Sequence, residues 1–265
     1  MRRFWLHAGL VLFCVYILAP PLWVLRTSLV PERLAYSGAL LPAFTFENYA
    51  ALFARNAFAR SYANSLVAAL GATLLALPFG AMTGYAFARY RTGGHAGRFL
   101  LLATQMLPPV ALVLPAFTLF RSVGLTNSVL GLVIAYGALN LPFLTWILMS
   151  FFEGIPDDME GAAMTDGATV WGAFWRILLP MSLPGLAAAA VLGFILAWNE
   201  FLFALVLTGP TTATIPVTLA ALQSSNGVEI ARISAGVVLA VLPLAIASRF
   251  VQRYIVQGLT FGSIK

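Results

Sequence analysis

Six apolar stretches, each about as long as a bilayer crossing and almost free of charge, constrain this chain before any motif does. A hydrocarbon core of roughly 30 Å takes about 20 residues at about 1.5 Å rise each. Such stretches run approximately over residues 6–25, 62–87, 99–120, 128–152, 184–208 and 233–248, the last continuing as helix beyond the membrane. The chain is 61% apolar and 9% charged, a composition that an ordinary soluble domain does not have. The expected class is therefore an all-α membrane protein with six transmembrane helices. The first stretch follows Met1, Arg2 and Arg3. Its apolar run is too long for a signal peptide and no small-residue cleavage site follows promptly, so it reads as a retained span.

The basic residues set an expected orientation. With the amino terminus inside, Arg2, Arg3, Arg89, Arg91, Arg98, Arg176, Arg249, Arg253 and Lys265 fall in the cytoplasm, against Arg26, Arg33, Arg55, Arg60, Arg121 and Arg232 outside. Both termini and residues 88–98 and 153–183 are then cytoplasmic, while 26–61 and 209–232 lie outside. Proline recurs in or beside the spans, at Pro20, Pro21, Pro78, Pro108, Pro109, Pro115, Pro142 and Pro243. Each removes a backbone donor and can kink its helix, either as packing geometry or as a break lining a path. No internal repeat and no low-complexity linker interrupts the pattern, so residues 1–265 read as a single membrane domain.

Most chemistry is excluded by the residue inventory. A phosphate-cradling loop needs a lysine after its glycine-rich turn, and the only lysine is Lys265. His7 and His95, the only histidines, lie near the ends of different spans, which leaves no metal site and no base for an intramembrane serine protease. Lone Cys14 permits no internal disulfide and reads as a small apolar residue. The net charge of +6 comes without a basic cluster interleaved with aromatics, so membrane lipid is the expected partner and nucleic acid is not. One ionisable group falls inside a span: Glu200, beside Asn199 in "AWNEFLFALVL". A charge at mid-membrane costs about 2.5 to 3.5 kcal/mol on insertion scales. Three readings stay open for it: the polar lining of a solute path, an interhelical hydrogen bond, or a carboxyl near enough to the outer interface to stay wet. An ion-coupled secondary transporter, the alternative class, would have little beyond this carboxylate to work with. Asn140, in the fourth span, reads as a packing residue.

Five of the nine acidic residues, Glu153, Asp157, Asp158, Glu160 and Asp166, gather in or beside "EGAAMTDGATVWGAFWRILLP" at 160–180. After Pro156 the sequence predicts a short helix with Asp157 as N-cap and Glu160 as the third helical residue, an Asp-x-x-Glu capping box at the positive end of the dipole. Gly167 supplies a residue able to leave the helix with positive φ. Thr169 can then cap a second helix whose Trp171, Phe174, Trp175 and Leu178 form an apolar stripe ahead of Pro180. A helix of about eight residues is marginal alone and must pack on something. Gly161, Ala162 and Ala163 leave its surface almost bare, so another protein's groove can approach closely and its arginines can meet the acids. The same residues equally suit a well-capped interfacial loop between two spans.

The segment resembles the EAA loop of permease subunits of ATP-binding-cassette (ABC) importers, with Ala162, Ala163, Asp166, Gly167, Ala168, Phe174, Leu179, Pro180 and Pro184 in register. "LPPVALVLPAFTLFRSVGL", "NLPF", "AWNEFLFALVL" and "GLTFGSIK" are similar to the second permease of carbohydrate-type importers related to the maltose system. The glutamate that names the motif is Gly161 here, with Glu160 one position earlier. The resemblance implies the type I importer permease fold and a coupling loop at about 153–183, with Asp157, Glu160, Gly161, Ala162, Ala163, Asp166 and Gly167 meeting an ATPase. It also implies a non-catalytic subunit that binds no cofactor itself. Its implied partners are a second permease subunit forming a heterodimer, two cytoplasmic ATP-binding subunits carrying ATP and Mg, and an extracytoplasmic solute-binding protein. The cargo would be a sugar, oligosaccharide, polyol or glycerol phosphate crossing a bacterial inner membrane, with Asn199 and Glu200 on the solute path.

Overall fold

The computed structural model describes residues 2–38, 43–54, 57–224 and 227–261, excepting the side chains at 2, 224, 227 and 250–261. Arg55 and Lys265, counted in the charge asymmetry, lie outside the described residues, as does the end of the tail at 262–265. The helices in chain order are α1 (Arg2–Ser28), α2 (Glu47–Ala54), α3 (Ala57–Tyr90), α4 (Gly94–Met106), α5 (Pro109–Ser122), α6 (Val129–Glu153) and α7 (Asp157–Thr165). There follow α8 (Val170–Ala173), a π-helical turn (Phe174–Leu178), α9 (Leu179–Met181), α10 (Leu183–Trp198), α11 (Leu202–Leu207), α12 (Ile215–Ala220) and α13 (Ile230–Phe261). The only strand pairing among the described residues joins Gln223 to Val228 and Ser224 to Gly227.

Four helices, α1, α3, α6 and α13, are long and apolar enough to cross a membrane unaided. The pairs α4–α5 and α8/α9–α10 qualify only together and bend by 90° and 75°. The count of six spans therefore holds only when each bent pair is one span. The stretch at 99–120 breaks at Pro108 and Pro109, two of the prolines the sequence marks as able to kink their helix. Leu107 and Pro108 each precede a proline and are extended, with ψ 124 and 126, as proline's ring disfavours helical geometry at the residue before it. The stretch at 184–208 is also interrupted: α10 ends at Trp198 and the chain resumes as α11 only at Leu202. Prolines at 78, 115, 142 and 243, in contrast, sit within continuous helices.

Two compact units emerge, residues 1–62 with 215–243 and residues 63–214 with 244–265. In the first, Val30, Ala35 and Ala231 form one small core and Leu52, Phe58 and Ala235 another. Helix ends here are closed by side chains: the Glu32 carboxylate accepts from Ala231 N and Arg232 N at 3.1–3.2 Å, capping α13. The apolar window of α1 has no buried residue.

The second unit is built on α3, α6 and α10, with Tyr85, Leu144, Leu148, Phe152, Phe174 and Leu178 at its centre. Small residues let the helices approach. A Cβ at Gly84 of α3 would stand 2.9 Å from Met149 N of α6, so no larger residue fits without moving the backbone. Asn140 Nδ2 donates to Gly193 O at 3.0 Å, tying α6 to α10 through a buried hydrogen bond.

Candidate functional site

The short helix after Pro156 forms as the sequence predicts, but it is not capped as predicted. No side-chain hydrogen bond caps α7, and Asp157 is its first helical residue. Asp157 and Glu160 share one face, and that face turns toward the carboxyl end of α3. Arg89 pairs with the Asp157 carboxylate and donates from Nη2 to Ile155 O at 2.8 Å. Its Nε lies 3.3 Å from Glu160 Oε2, an ion-pair distance without hydrogen-bond alignment. Glu160 Oε1 accepts from Tyr85 Oη at 2.5 Å and from Tyr90 Oη at 3.0 Å. The charged Arg89 guanidinium draws Asp157 away from the N-cap through a charge-assisted bond, and for buried Glu160 two phenols and that same charge act in a low-dielectric site. Glu160 is thus buried at 8% exposure, which removes it as an outward substitute for the glutamate missing at Gly161.

The opposite face of α7 is bare. Asp158, Met159, Gly161, Ala162, Met164 and Thr165 are exposed, while Ala163 is buried against the chain. A Cβ at Gly161 would meet nothing within 4 Å, so this surface has room for another molecule to approach the backbone. Two half-exposed methionines flank it, and such side chains adapt to a partner's shape.

The exit from α7 follows the glycine signal. Gly167 has φ +88, Gly167 N donates to Met164 O at 3.1 Å and Ala168 N to Ala163 O at 3.0 Å. These are the two bonds of a Schellman ending. Thr169 Oγ1 then accepts from Gly172 N at 3.1 Å, the predicted cap of the next helix. That helix does not carry one continuous apolar stripe. Leu179 N bonds to Phe174 O, the i→i+5 spacing of a π turn. Phe174 and Leu178 stay fully buried while Trp171 and Trp175 are half exposed. Phe174 lies 4.9 Å from the Tyr85 ring and 6.0 Å from Phe152, so α3, α6 and the turn meet at one aromatic cluster.

Asn199 and Glu200 occupy the interruption between α10 and α11. Asn199 Nδ2 donates to Ile195 O at 2.8 Å, and the Glu200 carboxylate accepts from Phe203 N and Ala204 N at 3.0–3.2 Å. Glu200 is therefore the cap of α11 and not a charge stranded in a continuous helix; the broken span supplies the amide donors that compensate it. Among the described residues no three His, Cys, Asp or Glu side chains could together hold a metal ion. Asp157, Glu160, Gly161, Ala162, Ala163, Asp166 and Gly167 come together on α7 and its exit turn, apart in sequence from Asn199 and Glu200. Sequence reasoning missed Tyr85, Arg89 and Tyr90, and counted Arg89 only as a membrane-flanking charge. The signal was present as an Arg-Tyr pair where an apolar span ends.

Residues 76–261 match the family model described as binding-protein-dependent transport system inner membrane component. The trehalose transport system permease protein SugB of Mycobacterium tuberculosis is 38% identical over 257 residues, covering 94% of this chain and 93% of the relative. The trehalose/maltose transport system permease protein MalG of Thermococcus litoralis is 34% identical, with 100% and 98% covered. Among solved structures, a bacterial ABC transporter involved in the import of the acidic polysaccharide alginate superposes with a TM-score of 0.79 at 25% identity, over 96% of each chain.

Proposed function

This chain belongs to the family of binding-protein-dependent transport system inner membrane components, and on that premise we propose that it carries a disaccharide-class sugar or related solute by moving between two permease states under the pull of partner ATPases. It is a multi-pass membrane protein and the permease subunit of an ABC importer. The finer reading is of one permease domain with both termini in the cytoplasm, in a bacterial inner membrane. It pairs with a second permease subunit, rests on two ATP-binding subunits that hold ATP and Mg, and receives solute from an extracytoplasmic binding protein. Asp157, Glu160, Gly161, Ala162, Ala163, Asp166 and Gly167 form the coupling element, and the break at Asn199 and Glu200 meets the solute path.

The observation that carries this reading is the bare face of α7. A helix of nine residues projects Met159, Gly161 and Ala162 outward, while its buried Glu160 and its exposed Asp157 are both paired within its own chain. Docking there rests on shape more than on charge, since Gly161 offers no carboxylate. ATP binding can move the spans only as far as this surface interacts differently with two ATPase states. The trehalose and maltose relatives favour a disaccharide over a polyol or glycerol phosphate, and family membership favours the importer over an ion-coupled transporter. Purification in mild detergent tests the assembly: the importer predicts a nucleotide-binding subunit and a second permease in stable complex, whereas a lone chain transporting trehalose on an ion gradient overturns it.

A further inference from the structure

Two short turns join α7 to the chain. Upstream it hangs on Gly154, Ile155 and Pro156, with Ile155 buried in the core, and downstream on the Asp166–Thr169 turn, where Gly167 takes a positive φ. Side-chain bonds add a third attachment, to α3, the element that ends some 65 residues earlier in sequence. From that one helix end, Arg89 grips the linker carbonyl at Ile155 and the carboxylates of the first and fourth residues of α7, while Tyr85 and Tyr90 donate to Glu160. The Arg89 side chain is 8% exposed and that of Glu160 10%. Breaking such a pair strands a charge out of water, which is far costlier than breaking a surface bridge. The joint therefore gives α7 a route to α3 that does not run through the chain. Tyr85 reinforces it, with ring centroids 5.8 Å from Phe152 and 4.9 Å from Phe174.

We propose that Arg89, with Tyr85 and Tyr90, is a positioning element that locks α7 to the end of α3, so that displacement of α7 is delivered to α3 and not only to its sequence neighbours α6 and α10. This rests on the reading that an ATPase seats on α7. Packed, charge-paired joints of this kind move as one body, as rigid-body transitions require.

The test uses the assembled transporter in lipid vesicles, with Cys14→Ser as background and single reporter cysteines on α3 (Phe79→Cys) and on α10 (Leu196→Cys). Both positions stand on the outer surface of the chain, at 54% and 46% exposure. Each cysteine carries a nitroxide spin label, and its mobility is read by electron paramagnetic resonance with and without ATP. With Arg89 intact, ATP changes the mobility at both reporters. In Arg89→Ala the change at α3 falls about tenfold or more, while the α10 reporter still responds and the ATPase still co-purifies. Arg89→Lys, which keeps the charge and loses the fork, restores part of the α3 response. An undiminished α3 response in Arg89→Ala overturns the proposal. If that variant does not assemble, Tyr85→Phe/Tyr90→Phe replaces it, removing both hydroxyls and keeping both rings; the same loss supports the proposal and an unchanged response overturns it. If ATP moves neither reporter in the protein with Arg89 intact, the docking reading itself fails and takes the proposal with it.

Discussion

Replacing Gly167 isolates backbone geometry from everything else in the coupling loop. A Cβ there would meet nothing within 4 Å, so the substitution introduces no clash. The cost comes from φ +88, a conformation that carries about 1–2 kcal/mol for an L residue and more for a β-branched one. Relaxing φ instead sacrifices the Gly167 N→Met164 O and Ala168 N→Ala163 O bonds, each worth about 0.5–1.5 kcal/mol net. The two routes cost about the same, so no easy escape exists. Gly167→Val should lose roughly tenfold in coupled uptake, since about 1.4 kcal/mol is a factor of ten. The chain should still reach the membrane, because the turn is exposed and carries no core contact. Gly167→Asn, which tolerates left-handed geometry, should retain most activity. The assay is solute uptake and binding-protein-stimulated ATP hydrolysis in reconstituted vesicles, using the sugar that the cognate binding protein delivers. Wild-type values in Gly167→Val, or an equal loss in Gly167→Asn, would refute the backbone argument.

Gly161→Ala should stabilise α7 by about 0.8–1 kcal/mol, because glycine is the poorer helix former and the site is open; amide exchange at residues 162–165 should slow, and unchanged exchange contradicts this. Gly185→Ala should lower the thermal unfolding midpoint in detergent. A Cβ there falls 2.4 Å from Phe151 Cγ, an overpacking cost of about 1–3 kcal/mol that Phe151→Ala should relieve. Glu200→Ala should cost about 0.5–2 kcal/mol as a lost cap of α11, and Glu200→Gln much less. Equal losses by the same melting assay would assign the charge, not the cap, as the important feature.

The spans were legible because bilayer thickness converts directly into a count of apolar residues, and Gly167 and Thr169 were legible because turns and caps are chosen by neighbours two to five positions away. The 90° bend at Leu107 and Pro108 was written in the sequence as consecutive prolines, which were read as able to kink the span without an angle being fixed. Asn199 and Glu200 raised the opposite difficulty: the polar pair was noticed, and the helix break that explains it was not. The capping box failed for a tertiary reason. Asp157 and Glu160 have the right spacing, yet Arg89 and Tyr85 lie 68 and 75 positions away and bind them more strongly than the local amides do. A π turn is likewise invisible to a pattern counted at 3.6 residues per turn, so Trp171 and Trp175 were grouped on one stripe with Phe174 and Leu178.

The measurement that bears most directly on the account is a crosslink from α7 in intact membranes. In a Cys14→Ser background, Ala162→Cys places a thiol on the exposed face, and a short bifunctional maleimide reports what lies within reach. The account predicts an adduct with a nucleotide-hydrolysing subunit whose yield changes on adding ATP. An assembled, solute-transporting complex in which Ala162→Cys and Met159→Cys never reach such a subunit would contradict it.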